Sequence, residues 1–225
     1  MPSRILFFLI ALGLSNALSA QRSEIGFGIG AFNYTGDLAR SIRVVNFRPA
    51  GTAFYRNNVS KVVSMRASIT AGSLGASETP IDAFADARDA SFSIFVFETS
   101  LSFEYHFLNW RDDKRPMRYT PYLFAGFGLF GMSGYGEKAT DYSDVQPIIP
   151  FGIGFKYIVN PKFYVAIEGG IRKTFFDYLD NVSEGDLTTK NYQYGNPNDF
   201  DNYFFIGISL TRTFYDIPCP RNPYK

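Results

Sequence analysis

Reactive chemistry in this chain would have to come from very few residues. Its 225 residues hold one histidine, His106, and one cysteine, Cys219. His106 stands in FEYHF beside Glu104, and Cys219 stands between Pro218 and Pro220. A histidine becomes a general base when a serine or an acid is set against it and a substrate can reach it. No Gly-x-Ser-x-Gly elbow occurs to supply such a serine, and no His/Cys cluster has the spacing of a metal site. The acidic stretch DYLDNVSEGD suggests a calcium loop, but its third position is Leu179, where that loop needs an oxygen ligand. The residue types therefore predict a protein that is not an enzyme and carries no cofactor. His106 is read as a structural partner of Glu104 or Tyr105.

A second constellation is ionic. Arg66, Glu98, Glu104, Lys156, Glu168 and Arg172 stand in otherwise apolar surroundings. Opposite charges enclosed together pair, and this reading sets Glu98, Glu104 and Glu168 against Arg66, Lys156 and Arg172.

The elements that must position them are visible as a period of two. From 95 to 107 the odd positions are Phe95, Phe97, Thr99, Leu101, Phe103, Tyr105 and Phe107. The even ones are Val96, Glu98, Ser100, Ser102, Glu104 and His106. Similar alternation covers 149–159, 163–172 and 204–211, and weaker runs lie at 24–33, 47–56, 62–72 and 120–130. Strict alternation marks a strand with two unlike faces. Eight such strands, with 24 Phe, 15 Tyr and 20 Gly, predict an all-β, eight-stranded antiparallel up-and-down transmembrane β-barrel, with lipid outside and polar groups inside. A soluble lipocalin-like barrel would turn its apolar face inward instead. The charged set given above fits a narrow, salt-bridged lumen better than a greasy cavity.

Connection lengths support the topology. Asn57-Asn58 and Asn160-Pro161 are tight-turn sequences, whereas 34–46, 73–90, 131–148 and 175–202 are long and polar. Long odd-to-even connections predict four longer extracellular loops and periplasmic termini. The 108–119 connection is longer than its parity requires and carries Arg111, Lys114 and Arg115 among six charges. It is either a contact surface or a solvated turn.

The address agrees with this class. Residues 1–20, MPSRILFFLIALGLSNALSA, have a basic start, a short apolar core and small residues before a cut after Ser19 or Ala20, the form of a secretory signal peptide. The expected organisation is thus signal peptide 1–20, outer-membrane barrel 21–214 and periplasmic tail 215–225. Integral insertion into the outer membrane of a Gram-negative-type envelope follows, with outer-membrane lipids as the first partners. A net charge of +1 makes no electrostatic case for nucleic acid. An odd cysteine in an oxidising periplasm suggests an intermolecular disulfide or a free thiol.

Several segments together carry a family likeness: GAFNYTGDL (30–38), FRPAGTAFYR (47–56), YTPYLFAGFG (119–128), IPFGIGFKY (149–157), RKTFFDYLDNVS (172–183) and DNYFFIGISLT (201–211). With a cysteine in the tail, they resemble the PorG-type outer-membrane barrels of the type IX secretion system. The loop signature within them is Asp37, Asp177, Tyr178 and Asp180; the 73–90 segment departs from the pattern. The resemblance implies a scaffold that contacts the periplasmic ring of the secretion machine and is not its translocation pore. On that reading Cys219 bonds or docks to a ring subunit, a lipoprotein, and Arg111, Lys114 and Arg115 add a second contact. The alternative is a stand-alone small barrel, either a passive channel or a surface adhesin. In RKTFFDYLDNVS, Arg172 and Thr174 are expected in the lumen, Phe175 and Phe176 in the outer interface belt, and Asp177, Asp180 and Asn181 in water.

Overall fold

A computed structural model describes residues 23–35, 44–77, 91–108, 117–134, 143–160, 162–175, 179 and 201–214. These form eight strands: β1 (Ser23–Thr35), β2 (Arg48–Asn57), β3 (Val63–Ser77), β4 (Ser91–His106), β5 (Tyr119–Ser133), β6 (Val145–Asn160), β7 (Phe163–Thr174) and β8 (Asn202–Phe214). They close in chain order into one barrel. The seam is antiparallel β1 on β8, running from Ser23 opposite Phe214 to Thr35 opposite Asn202. Closure leaves no unpaired edge, so every strand meets its backbone hydrogen bonds inside the sheet.

The period of two sorts the side chains. On β4 the even residues from Ile94 to His106 are buried and the odd ones exposed. Outside, large apolar residues stand open all round the barrel, among them Ile29 at 79%, Phe127 at 72% and Ile153 at 65% exposure. No water-soluble barrel could leave such a belt uncovered.

The two ends differ. The two shortest connections, β2–β3 and β6–β7, lie at the end where β1 begins and β8 finishes, called here the turn end, together with the longer β4–β5 connection; the β1–β2, β3–β4, β5–β6 and β7–β8 connections lie at the loop end. Asn160 shapes one turn by accepting from the backbone N–H of Lys162 (3.0 Å) and Phe163 (2.9 Å). Ser60 does the same for Val63 at 2.9 Å.

Inward glycines make room for rings from neighbouring strands. A methyl group on Gly26 would lie 2.2 Å from the Phe54 ring, and one on Gly154 would lie 2.2 Å from that of Tyr122. The barrel thus trades side chains on one strand for aromatic rings laid across from the next.

Several strands run further toward the loop end than the alternation predicts. β3 continues past 72 to Ser77, β4 starts at Ser91 rather than 95, and β6 starts at Val145 rather than 149. The added turns bring Leu74, Ala76, Ile94 and Ile148 inward, where they pack with Phe32, Phe130, Met132, Tyr203 and Phe205 in a buried apolar cluster. The expectation of a wholly polar lumen is corrected here: its loop-end storey is hydrophobic. On the added parts of β3 and β4 the alternation is inverted, with Ser73, Ser91 and Ser93 on the outer parity and Leu74, Phe92 and Ile94 on the inner one, so the apolar-out pattern no longer marks the strand.

Candidate functional site

The remaining storey of the lumen is ionic, and Glu104 is its hub. One Oε2 oxygen lies 2.8 Å from Arg56 Nε and 3.2 Å from Lys156 Nζ, while Oε1 is 3.4 Å from Arg66 Nε. These cations come from β2, β6 and β3, so one carboxylate on β4 ties together strands on three sides of the barrel. Arg56 also reaches Glu24 on β1 at 2.8 Å, and Arg66 reaches Glu168 on β7. Nearer the apolar storey, Arg172 pairs with Glu98 at 3.2 Å, and the Tyr203 hydroxyl donates to the same carboxylate at 3.1 Å. All six sequence-predicted lumen residues, Arg66, Glu98, Glu104, Lys156, Glu168 and Arg172, are brought into this network.

Aromatic rings fill what the charges leave. Arg56 lies 4.7 Å from the Phe54 ring centre, Arg66 5.0 Å from that of Phe124, and Arg172 5.0 Å from that of Phe205. Tyr122 donates to Glu168 at 2.9 Å. The pocket lined by Phe54, Arg66, Glu168, Arg172 and Phe205 keeps only about 10 Å³ of free space, at the lower limit for one water molecule. An eight-stranded barrel is just wide enough for its own side chains, and this one is filled by them.

His106 is fully buried at the turn end of the lumen. Its Nε2 lies 3.2 Å from Ser64 Oγ, 3.4 Å from Glu104 and 3.4 Å from Lys156. The expected contact with Glu104 is present, and the ring is one more member of the packed cluster.

Sequence reasoning missed Glu24, Arg56 and Asn58. Asn58, expected only as a turn residue, is buried; its side-chain amide donates to Glu24, and its oxygen accepts from Ser64 at 2.9 Å. Strand parity carried the signal for the other two. Glu24 shares the inward register of Gly26, and Arg56 that of Phe54.

At the loop end Asp201 gathers the mouth of the barrel. Its carboxylate accepts from the Tyr34 hydroxyl and, at 2.9 Å, from the backbone N–H of Leu179; its carbonyl accepts from Thr174. Leu179 is completely buried in the apolar cluster. The stretch expected to leave the barrel at its first aspartate thus returns one leucine to the core. Arg172 and Thr174 face inward as expected, and Phe175 is 53% exposed beside the belt. Asp37, Asp177, Tyr178, Asp180, Phe176 and Asn181 lie outside the described residues. So do Cys219, Arg111, Lys114, Arg115, the 1–20 segment and the 215–225 tail.

Breaking the Glu98–Arg172 pair gives a direct test of the network. Arg172→Ala leaves a buried carboxylate and is expected to lower stability by roughly 3–5 kcal/mol, read as a lower temperature for loss of the compact gel band. Arg115→Ala is expected to melt like the parent. Equal melting of the two variants would dismiss the network as a stabilising element.

Closed topology, an apolar exterior and a sealed, charged interior define the class: an integral β-barrel of the outer-membrane type, located in the cell outer membrane. Within that class the chain belongs to the family described as a domain of unknown function (DUF6089), whose model matches residues 3–222. No curated protein matches it in sequence. Among solved structures it is similar to Neisserial surface protein A, at 11% identity and a TM-score of 0.53, over 85% of this chain and 97% of that one. It is also similar to the attachment invasion locus protein Ail of Yersinia pestis, at 12% identity and a TM-score of 0.48, over 87% and 99% of the two chains. The outer membrane protein OprG of Pseudomonas aeruginosa follows at 10% identity and 0.46, over 88% and 97%.

Proposed function

We propose that this barrel is a non-catalytic scaffold that anchors the periplasmic ring of a type IX-like secretion machine to the outer membrane. The observation that supports it best is the filled lumen. A barrel whose ionic storey keeps a pocket of room for about one water, among buried charges and rings, is read as passing neither proteins nor solutes and acting by what it touches. The likeness of NYTGDL, FRPAG and TFFDYLDNVS to PorG-type barrels names the partner class. In this reading the turn end faces the periplasm, the signal peptide 1–20 is removed, and Cys219 in YDIPCPRNPYK meets a ring lipoprotein. Flanking prolines stiffen that tail and keep it from pairing as a central strand. Arg111, Lys114 and Arg115 supply the second contact.

The second reading is a stand-alone barrel. Its fold likeness to a protein whose name describes a surface protein favours loop presentation, while the sealed lumen argues against a passive channel. Deletion separates the two. Loss of the scaffold strands the machine's cargo in the periplasm; loss of a lone barrel leaves secretion intact. Gels of gently extracted native membranes, with and without reductant and beside Cys219→Ser, then test the tail. A reductant-sensitive band containing a lipoprotein, absent in the variant, supports the anchor. A monomer in every lane removes the disulfide.

A further inference from the structure

Among the described residues, the turn end exposes cations and no carboxylate. Arg118, Lys162 and Arg212 are exposed there, with Lys61 on the β2–β3 turn; the one exposed acid among the described residues, Asp144, lies at the loop end. Arg118 directly precedes β5, Lys162 lies between β6 and β7, and Arg212 is on β8. The Arg118 carbonyl accepts from Ile158 of β6 at 2.7 Å, and the Lys162 carbonyl accepts from Thr213 of β8, next to Arg212, at 2.9 Å. Neighbouring strands are about 4.8 Å apart, so the three positions, spread from β5 to β8, fall within roughly 15 Å along the rim.

Their depth is set by aromatic residues on the lipid side. Tyr119, directly after Arg118, stacks on Phe155 with centroids 5.7 Å apart, and Tyr157 stands opposite it across β5 and β6. The Arg212 guanidinium lies 5.2 Å from the Phe214 ring centre. Such belts lie at the membrane–water boundary, which puts the cations at the level of lipid phosphates.

We infer that Arg118, Lys162 and Arg212 form a binding patch for an anionic phospholipid headgroup in the leaflet around the turn end. A phosphate diester without a compensating ammonium group matches three cations with no described carboxylate among them. An acidic protein would have to reach them past the headgroups. The patch stands whether or not the secretion reading does.

The test uses the full chain in nanodiscs of phosphatidylcholine and phosphatidylglycerol in equal parts, counting by mass the lipids that stay bound after transfer to detergent. The parent is expected to retain phosphatidylglycerol by roughly tenfold over phosphatidylcholine at low salt, and to lose that preference at high salt. Combined Arg118→Gln, Lys162→Gln and Arg212→Gln brings the ratio to unity, while Lys61→Gln keeps it. If the triple variant does not assemble, Lys162→Gln alone, an exposed turn residue, is expected to reduce the ratio severalfold. No enrichment in the parent, enrichment untouched by the patch variants, or equal loss in Lys61→Gln would each overturn the patch.

Discussion

Glu104→Gln is expected to destabilise the barrel by at least about 3–5 kcal/mol, although it changes almost no volume. Removing one partner of a buried pair leaves an uncompensated charge in a medium that solvates it poorly. Here the loss is shared by three cations: Arg56 at 2.8 Å, Lys156 at 3.2 Å and Arg66 at 3.4 Å. Arg56 and Arg66 keep second carboxylates in Glu24 and Glu168, and Lys156 keeps the His106 ring at 3.4 Å. Removing one of the three cations along with the carboxylate, in Glu104→Gln combined with Lys156→Met, should recover part of the cost. By the usual scaling the single change lowers the melting temperature by on the order of 10 °C. Heat-modifiable migration on gels and urea titration in phospholipid vesicles both read the effect. A Glu104→Gln barrel within about 1 kcal/mol of the parent would mean that water reaches the cluster, and the sealed lumen would have to be given up.

Ile29→Arg is expected to cost roughly 2–4 kcal/mol in a bilayer, even though Ile29 is 79% exposed. On a water-soluble barrel such a surface change usually stays within about 0.5 kcal/mol. Ile29 lies at mid-strand on β1, opposite Ile208 of β8, which in turn faces Ile167 of β7. The row marks the middle of the apolar belt, where an arginine has no water within easy reach. The same substitution near a rim, at Phe214, should cost no more than about 1 kcal/mol. Urea unfolding from vesicles separates these outcomes. A tolerated arginine at position 29 would place the barrel outside lipid and undo the membrane assignment.

Both expectations begin from strand parity, which the residues state openly. Odd-positioned Phe95, Phe97, Leu101 and Phe103 against even-positioned Glu98, Ser100, Ser102 and Glu104 identify β4 and both its faces. Parity of this kind needs only local information, because successive side chains in a strand point to opposite sides. It revealed the eight strands, the lipid face and the six charged residues of the lumen. It also held Glu24 and Arg56, where glycines and small residues weakened the contrast.

Partners across the lumen were another matter. Arg172 meets Glu98 and Lys156 meets Glu104 because strand tilt and stagger set which residues share a level, and those are properties of the closed barrel. Nothing within β4 says that Glu104 will meet cations from β2, β3 and β6. The apolar storey was hidden for a different reason: Leu74, Ile94 and Ile148 face inward where Ser73, Ser93 and Pro147 hold the outer parity, the reverse of the apolar-out pattern read along the rest of the barrel. Leu179 looked like a flaw in an acidic loop until Asp201 and the barrel mouth gave it a place. The sequence by itself determined the class, the strand order and the two faces along most of each strand, all written in short-range periodicity. Only the tertiary structure decided which charges meet, that the lumen is sealed, and how its two storeys divide, because closure alone brings distant strands to a common level.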